Sequence, residues 1–99
     1  MLEVSGGFVL KCSNCGAQKE YGAEILSPAK IIILEEKPLG LLLEYSFRAR
    51  LKCSCGQEQS VLFRSLEYPE SLHIEGSERT EAEGCICLEP PDVDGESIF

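Results

Sequence analysis

The chain contains no tryptophan, and aromatic residues make up only 7% of its 99 residues. A hydrophobic core must therefore come mainly from leucine, isoleucine and valine, and a chain of this length buries only a modest core. Long apolar runs are also missing: the longest are IIIL at 31–34 and LGLLL at 39–43, whereas a membrane-spanning helix needs roughly 20 apolar residues. We therefore expect one small domain and no membrane span.

Basic residues are scarce as well. Nine Lys and Arg stand against 17 Asp and Glu, which gives a net charge of −8. A protein with this charge repels phosphate backbones at long range, so the composition disfavours broad affinity for nucleic acid. The N-terminal stretch MLEVSGGFVLKC carries an acidic residue early and has no apolar run long enough for a signal-peptide core. We therefore expect a cytoplasmic protein.

Histidine occurs once, at His73. A catalytic histidine works with a partner that it activates or that orients it, and no serine or aspartate partner is recognisable in the sequence. A lone histidine in a short edge strand is usually a surface residue or one with its hydrogen bonds satisfied. We therefore predict that the protein is not an enzyme and has no catalytic residues.

Cysteine is the residue that the chain has in excess: six occur, in three closely spaced pairs. Such a set can form disulfides, bind metal or remain as free thiols. Thiols in a reducing cytoplasm bind metal rather than pair, so metal is the favoured interpretation. A disulfide framework and free thiols stay open as alternatives.

Two of the pairs occur in similar stretches, KCSNCG at 11–16 and KCSCGQ at 52–57. In both, a glycine follows the second cysteine and permits the positive φ with which a chain leaves a tight turn. The second pair has one residue between its cysteines, where the first pair has two. In an extended strand, residues i and i+2 face the same side about 6.6 Å apart, so a bend at Ser54 can still bring the two sulfurs together.

Alternating apolar and polar residues predict that each Cys turn is the tip of a β-hairpin. Residues 41–52 are the clearest strand, and they pair with residues 58–64 in a register that places Phe47 opposite Phe63 and Lys52 opposite Glu58. Residues 4–12 and 17–21 predict the other hairpin, and residues 31–36 predict an extra strand that ends at the turn KPLG. Weaker strand candidates lie at 72–75 and 85–88, with a loop or one helical turn between them.

The predicted fold is therefore all-β: an antiparallel sheet of two Cys-tipped hairpins plus extra strands, with little or no helix. We place one domain at 1–88 and an acidic, flexible tail at 89–99. The two facing turns, Cys12-Ser-Asn-Cys15-Gly16 and Cys53-Ser-Cys55-Gly56, resemble those of zinc-ribbon proteins in general. The resemblance covers the two hairpins, and the second pair departs from it because zinc ribbons usually have two residues between the cysteines of each pair.

We predict Cys12, Cys15, Cys53 and Cys55 as the ligands of one Zn²⁺ ion. A tetrahedral zinc–thiolate site needs sulfurs about 2.3 Å from the metal and therefore about 3.8 Å from each other. Four thiolates leave no open position for water, so the zinc would be structural rather than hydrolytic. The same four ligands hold iron in rubredoxin-like redox proteins, which is an alternative.

The third pair, Cys85 and Cys87 in GCICLEP, has no exit glycine. Strand alternation places both thiols on one face, with Ile86 and Leu88 on the other. We interpret the two thiols as small buried hydrophobes, which free cysteines often are. A metal tetrad that includes them is the alternative.

The predicted zinc site and the acidic composition favour a zinc-binding accessory or adaptor protein that binds another protein through its sheet or its acidic surface. A nucleic-acid-binding zinc ribbon is the alternative, because Arg48, Arg50 and Lys52 lie on one face of a predicted strand. We interpret this face as solvated and balanced by Glu44 and Glu58. No aromatic residues alternate with its basic side chains, so it offers no platform on which bases of a single strand could stack.

Overall fold

The computed structural model describes residues 2–69, 72–74 and 76–95. These residues form antiparallel β-strands and one turn of 3-10 helix at Ala23–Ile25, without any α-helix, so the predicted fold class is confirmed. In this part of the chain, no helix is long and apolar enough to span a bilayer. The strands are β1 (Leu2–Ser5), β2 (Gly7–Cys12), β3 (Gln18–Gly22), β4 (Lys30–Lys37), β5 (Gly40–Lys52), β6 (Glu58–Glu67), β7 (Arg79–Glu83), β8 (Cys85–Glu89) and β9 (Asp92–Gly95).

The strands are arranged in three sheets. The largest has the order β4-β5-β6-β7, the second has the order β3-β2-β8, and β1 pairs with β9 in the third. The molecule is elongated, with extents of 50 × 23 × 21 Å. Its longest strand, β5, has 13 residues and ends at the second Cys turn.

The hairpin of β5 and β6 has the predicted register. Phe47 lies opposite Phe63, and Lys52 lies opposite Glu58. Side chains along both strands alternate between buried and more exposed positions. A slip of one residue would turn the apolar side chains toward solvent, so the buried face fixes this register. The predicted hairpin of β2 and β3 also forms, and its strands end on either side of the first Cys turn.

The core lies between the four-stranded and the three-stranded sheet. Phe8 of β2 is fully buried, and its ring centroid lies 5.6 Å from that of Tyr21 and 5.3 Å from that of Phe63 on β6. Composition predicted a core of leucine, isoleucine and valine, whereas aromatic rings hold its centre and no isoleucine belongs to the buried cluster of the described residues. The other members of that cluster are Leu2, Leu10, Leu26, Leu43, Tyr45, Phe47, Ala49, Val61 and Cys85.

Gly84 forms the corner at which the chain leaves the four-stranded sheet and enters the three-stranded one. Its φ is +72°, in the left-handed region that favours glycine. A Cβ atom at this position would collide with the carbonyl oxygen of Glu58 on β6. The Gly84 carbonyl also accepts a hydrogen bond from the Ser13 N–H at 3.1 Å. The corner therefore connects the first Cys turn with the start of β6.

Three segments differ from what the sequence predicted. Residues 79–83, expected in a loop or a helical turn, form the edge strand β7, whose residues are all exposed. Within 89–99, expected as a flexible tail, Asp92–Gly95 forms β9 against β1, and residues 96–99 lie outside the described residues. Near 72–75, an isolated bridge joins His73 to Glu67, and residue 75 lies outside the described residues.

Candidate metal centre

The first Cys turn joins β2 to β3. The Cys12 N–H donates to the Ala17 carbonyl at 2.9 Å, and the Gly16 N–H donates to the Cys12 carbonyl at 3.0 Å. Gly16 has a φ of +76°, the positive value that its place after Cys15 predicted. These bonds close the turn and bring Cys15 back toward Cys12.

The second Cys turn joins β5 to β6 and is built in the same way with one residue fewer. The Cys53 N–H donates to the Gln57 carbonyl at 2.9 Å, and the Gly56 N–H donates to the Cys53 carbonyl at 2.8 Å. Gly56 again has a positive φ, +95°. The bond from Gly56 to Cys53 therefore spans one residue fewer than the corresponding bond from Gly16 to Cys12 in the first turn. The missing residue thus tightens the turn and leaves its hydrogen-bond pattern intact.

The two turns face each other and bring the four predicted ligands together. The sulfur of Cys12 lies 3.7 Å from that of Cys55, and the sulfur of Cys15 lies 3.6 Å from that of Cys53. Each of these distances joins one turn to the other, and all four sulfurs lie within 4.8 Å of one another. A zinc–thiolate tetrahedron has edges of about 3.8 Å. The four cysteines could therefore hold a metal ion.

Hydrogen-bond donors of the turns stabilise two of the sulfurs as thiolates, the form that binds metal. The backbone N–H of Cys15 donates to the Cys12 sulfur and is the main reason why the pKa of Cys12 is lowered. The pKa of Cys55 falls to about 6, first because the Asn14 amide donates to its sulfur at 3.5 Å and second because the Gln57 N–H does so. Asn14 thus connects one turn with a ligand of the other.

Cys15 behaves in the opposite way. The Ala17 N–H favours its thiolate, but the hydrogen bond between the Cys15 and Cys53 sulfurs raises its pKa, which reaches about 11. Without metal, the cluster therefore holds thiolates and thiols together, and a metal ion would release the remaining protons. Cys12 is buried, whereas Cys15 and Cys55 are exposed, so the cluster reaches the surface of the molecule.

Cys85, Cys87 and His73 lie outside this cluster. Cys85 is opposite Cys12 on the paired strand β8 and is buried in the hydrophobic core, as expected for a small hydrophobe. Burial raises the pKa of Cys85 and of the half-buried Cys87, which keeps both as thiols. His73 lies elsewhere, with its Nε2 atom 3.2 Å from a carboxylate oxygen of Glu78.

The basic side chains of β5 face a surface that carries both signs of charge. Arg50 and Lys52 line an open depression of about 740 Å³, and Glu83 of β7 lines its other side. Arg48 and Arg50 line a smaller depression together with Glu81 and Glu83. The sequence indicated no such acidic neighbours, because β7 was not predicted as a strand of this sheet.

No protein-family model, no curated protein and no solved structure matches this chain. What the protein does must therefore be inferred from its own residues. The cysteine cluster is the feature that says most about function, because sulfur ligands at tetrahedral spacing suit zinc and iron and few other ions. Asn14 is the residue of this site that sequence reasoning missed, and its place between the cysteines of the first turn was the only signal.

Proposed function

We propose that the protein is a small zinc-binding accessory or adaptor protein of the zinc-ribbon type, which binds another protein and whose four-cysteine zinc site is structural. The sulfur geometry carries the zinc site of this proposal. Distances of 3.6 and 3.7 Å join the two hairpin tips, against about 3.8 Å in a zinc–thiolate tetrahedron. The ligands would be Cys12, Cys15, Cys53 and Cys55.

A zinc ion in this site would hold the tips of two hairpins together. With sulfur in all four positions, the ion has no open place for water and activates no nucleophile. It would join hairpin β2–β3 to hairpin β5–β6, and two of its four ligands are exposed at the surface. Structural zinc contributes on the order of 10 kcal/mol to folding, comparable with the whole stability of a small domain, about 5–15 kcal/mol.

Two features of the surface support a role in binding protein. Two large apolar side chains that lie two residues apart on β8 are exposed, Ile86 at 56% and Leu88 at 45%. Exposed apolar groups that lie together are typical of contact sites between proteins. The net charge of −8 gives the molecule a negative field that attracts basic partners.

Native mass spectrometry combined with metal analysis tests the metal site. The purified chain should carry one zinc ion, and the double variant Cys53→Ser/Cys55→Ser should carry none. The matched control, Cys85→Ser/Cys87→Ser, should retain its zinc because both thiols lie outside the cluster. Zinc that persists in the first variant would contradict the proposal. A red protein with visible absorbance would indicate rubredoxin-like iron instead.

A nucleic-acid-binding zinc ribbon is the second candidate. The row of Arg48, Arg50 and Lys52 on one face of β5 supports it, since phosphate contacts need clustered basic side chains. Glu83 lines both depressions and Glu81 lines the smaller one, and the two weaken this candidate because they repel phosphate at short range.

A further inference from the structure

One edge of the four-stranded sheet carries a run of four apolar side chains and has no neighbouring strand among the described residues. β4 is the terminal strand of this sheet, and all eight of its residues are exposed. The opposite edge strand β7 reads RTEAE, and its charges protect that edge from further pairing. The centre of β4 carries no such charge. Its four consecutive apolar side chains are Ile31, Ile32, Ile33 and Leu34, which are 44%, 41%, 60% and 49% exposed.

The backbone of β4 turns hydrogen-bonding groups outward beside Ile32. On the neighbouring strand β5, the N–H and C=O of Arg48 both bond to Ser27, on the side where β4 lies. Because these groups alternate in direction along a strand, those of Glu44 also turn toward β4, where Ile32 is the paired residue. Ile32 therefore bonds to β5. The N–H and C=O groups of the residues on either side of it point away from the sheet.

We propose that β4 pairs with β4 of a second copy of the chain, antiparallel about a two-fold axis at Ile32. In this register, the outward groups of Ile31 bond to those of Ile33 in the second copy, and Ile32 faces its own counterpart. Cross-strand partners show that Ile31 and Ile33 lie on the core face, whereas Ile32 lies on the outer face. The exposed isoleucines thus cover one another on both faces, and the two four-stranded sheets become one.

The charges of β4 match in the same register. An irregularity at Leu34 shifts the alternation, so that Glu35 lies opposite Leu42 and shares the outer face with Lys30 and Ile32. Rotation about Ile32 then brings Lys30 beside Glu35 of the second copy, at both ends of the paired segment. Opposite charges across a strand pair favour pairing. Backbone groups, apolar side chains and charges are therefore all self-complementary, which identifies a second copy as the occupant of this edge.

The proposed contact is small, and it lies away from the cysteine cluster. With the axis at Ile32, residues 30–35 of the two copies face each other over about 20 Å, which places the contact below the smallest stable interfaces, about 1,200 Å² in total. We therefore expect a Kd on the order of tens of micromolar. On β5, the first residue of β4 lies opposite Ser46, and Cys53 is about 23 Å further along the chain. The pairing does not depend on the metal, so loss of zinc and loss of the dimer are distinguishable.

Sedimentation velocity on the zinc-loaded full chain, from about 1 to 500 µM, tests the dimer. A concentration-dependent equilibrium between monomer and dimer is expected. Ile32→Lys would place two like charges at the axis and should raise Kd by at least about thirtyfold. The matched control is Leu39→Lys, because Leu39 is 76% exposed and lies in the turn beyond β4. The dimer Kd of this variant should stay within about twofold of that of the unchanged protein. Both positions are on the surface, and circular dichroism checks that both variants fold.

Charge reversal tests the register. Lys30→Glu and Glu35→Lys should each raise Kd by about three- to tenfold, because the two-fold axis doubles every change, and the double variant should restore it to within about threefold. Amide exchange adds a backbone readout: the Ile31 and Ile33 amides should become protected only above the Kd, and the Ile32 amide at every concentration. A dimer that survives Ile32→Lys, or a double variant without rescue, would overturn the proposal. A protein that stays monomeric at every concentration would also overturn the proposal, and a strand of another protein would then be the candidate partner for β4.

Discussion

Replacing Gly84 with alanine tests whether the corner between the two sheets depends on close contact of backbones. The left-handed φ of +72° by itself costs alanine about 1–2 kcal/mol. The added Cβ would also collide with the Glu58 carbonyl oxygen and lie 3.2 Å from its carbonyl carbon. Since backbone cannot swing aside like a side chain, we expect a further loss of about 1–3 kcal/mol, as for other overpacked sites. The sum, about 2–5 kcal/mol, is a large part of the stability of a small domain.

Gly76→Ala is the matched control for this prediction. Gly76 has a φ of +78°, and nothing lies within 4 Å of an added Cβ, so this variant should lose only the backbone term. Urea unfolding of the zinc-loaded variants gives both free energies of unfolding. Competition with a chromophoric chelator should also show weaker zinc binding by Gly84→Ala, because the Gly84 carbonyl holds the Ser13 N–H of the first Cys turn. Two variants that unfold within about 0.5 kcal/mol of each other would refute the role of the Glu58 contact.

Three further predictions concern the core, the thiols and the basic face. Phe8→Ala should lower the free energy of unfolding in urea by about 3–5 kcal/mol, because the ring is fully buried between two aromatic rings; a loss below about 1 kcal/mol would contradict that placement. In the metal-free protein, peptide mapping after alkylation should show Cys55 reacting from about pH 6 and Cys15 only toward pH 11, since the thiolate is the nucleophile. Asn14→Ala should move the Cys55 profile to higher pH by removing a donor from its sulfur, and an unchanged profile would count against that bond. Finally, DNA or RNA columns should not retain the protein at about 50 mM salt, whereas retention that is lost at higher salt would favour the nucleic-acid alternative.

The parts of the fold that the sequence predicted are those where a local pattern has one physical solution. Alternation over the long strand β5 allowed a single register with β6, because a slip would expose Phe47 and Phe63. Each exit glycine marked a turn, and two turns with paired cysteines indicated the metal cluster. The positive φ values of Gly16 and Gly56 follow from the same pattern.

The parts that the sequence did not predict depend on neighbours that are distant in the chain. β7 is a charged edge strand without apolar alternation, so only its pairing with β6 identifies it as a strand. Asn14 bonds to a sulfur of the other turn, a contact that exists only after both hairpins have packed. Composition also does not separate buried from exposed isoleucines. The isoleucines of β4 are exposed at the sheet edge, and aromatic rings and leucines fill most of the space between the sheets.

The unequal lengths of the two Cys turns show how the sulfur positions are determined. In each turn, the N–H of the exit glycine donates to the carbonyl of the first cysteine, and the N–H of that cysteine donates to the carbonyl of the residue after the glycine, so both turns close on themselves despite their different lengths. The relative placement of the two tips then depends on the strands below them. Those strands are held face to face by the contact between Phe8 of β2 and Phe63 of β6, at 5.3 Å between ring centroids. The core therefore aligns the tips, and the turns need only present two sulfurs each, which is why one residue can be missing between Cys53 and Cys55 without dispersing the cluster.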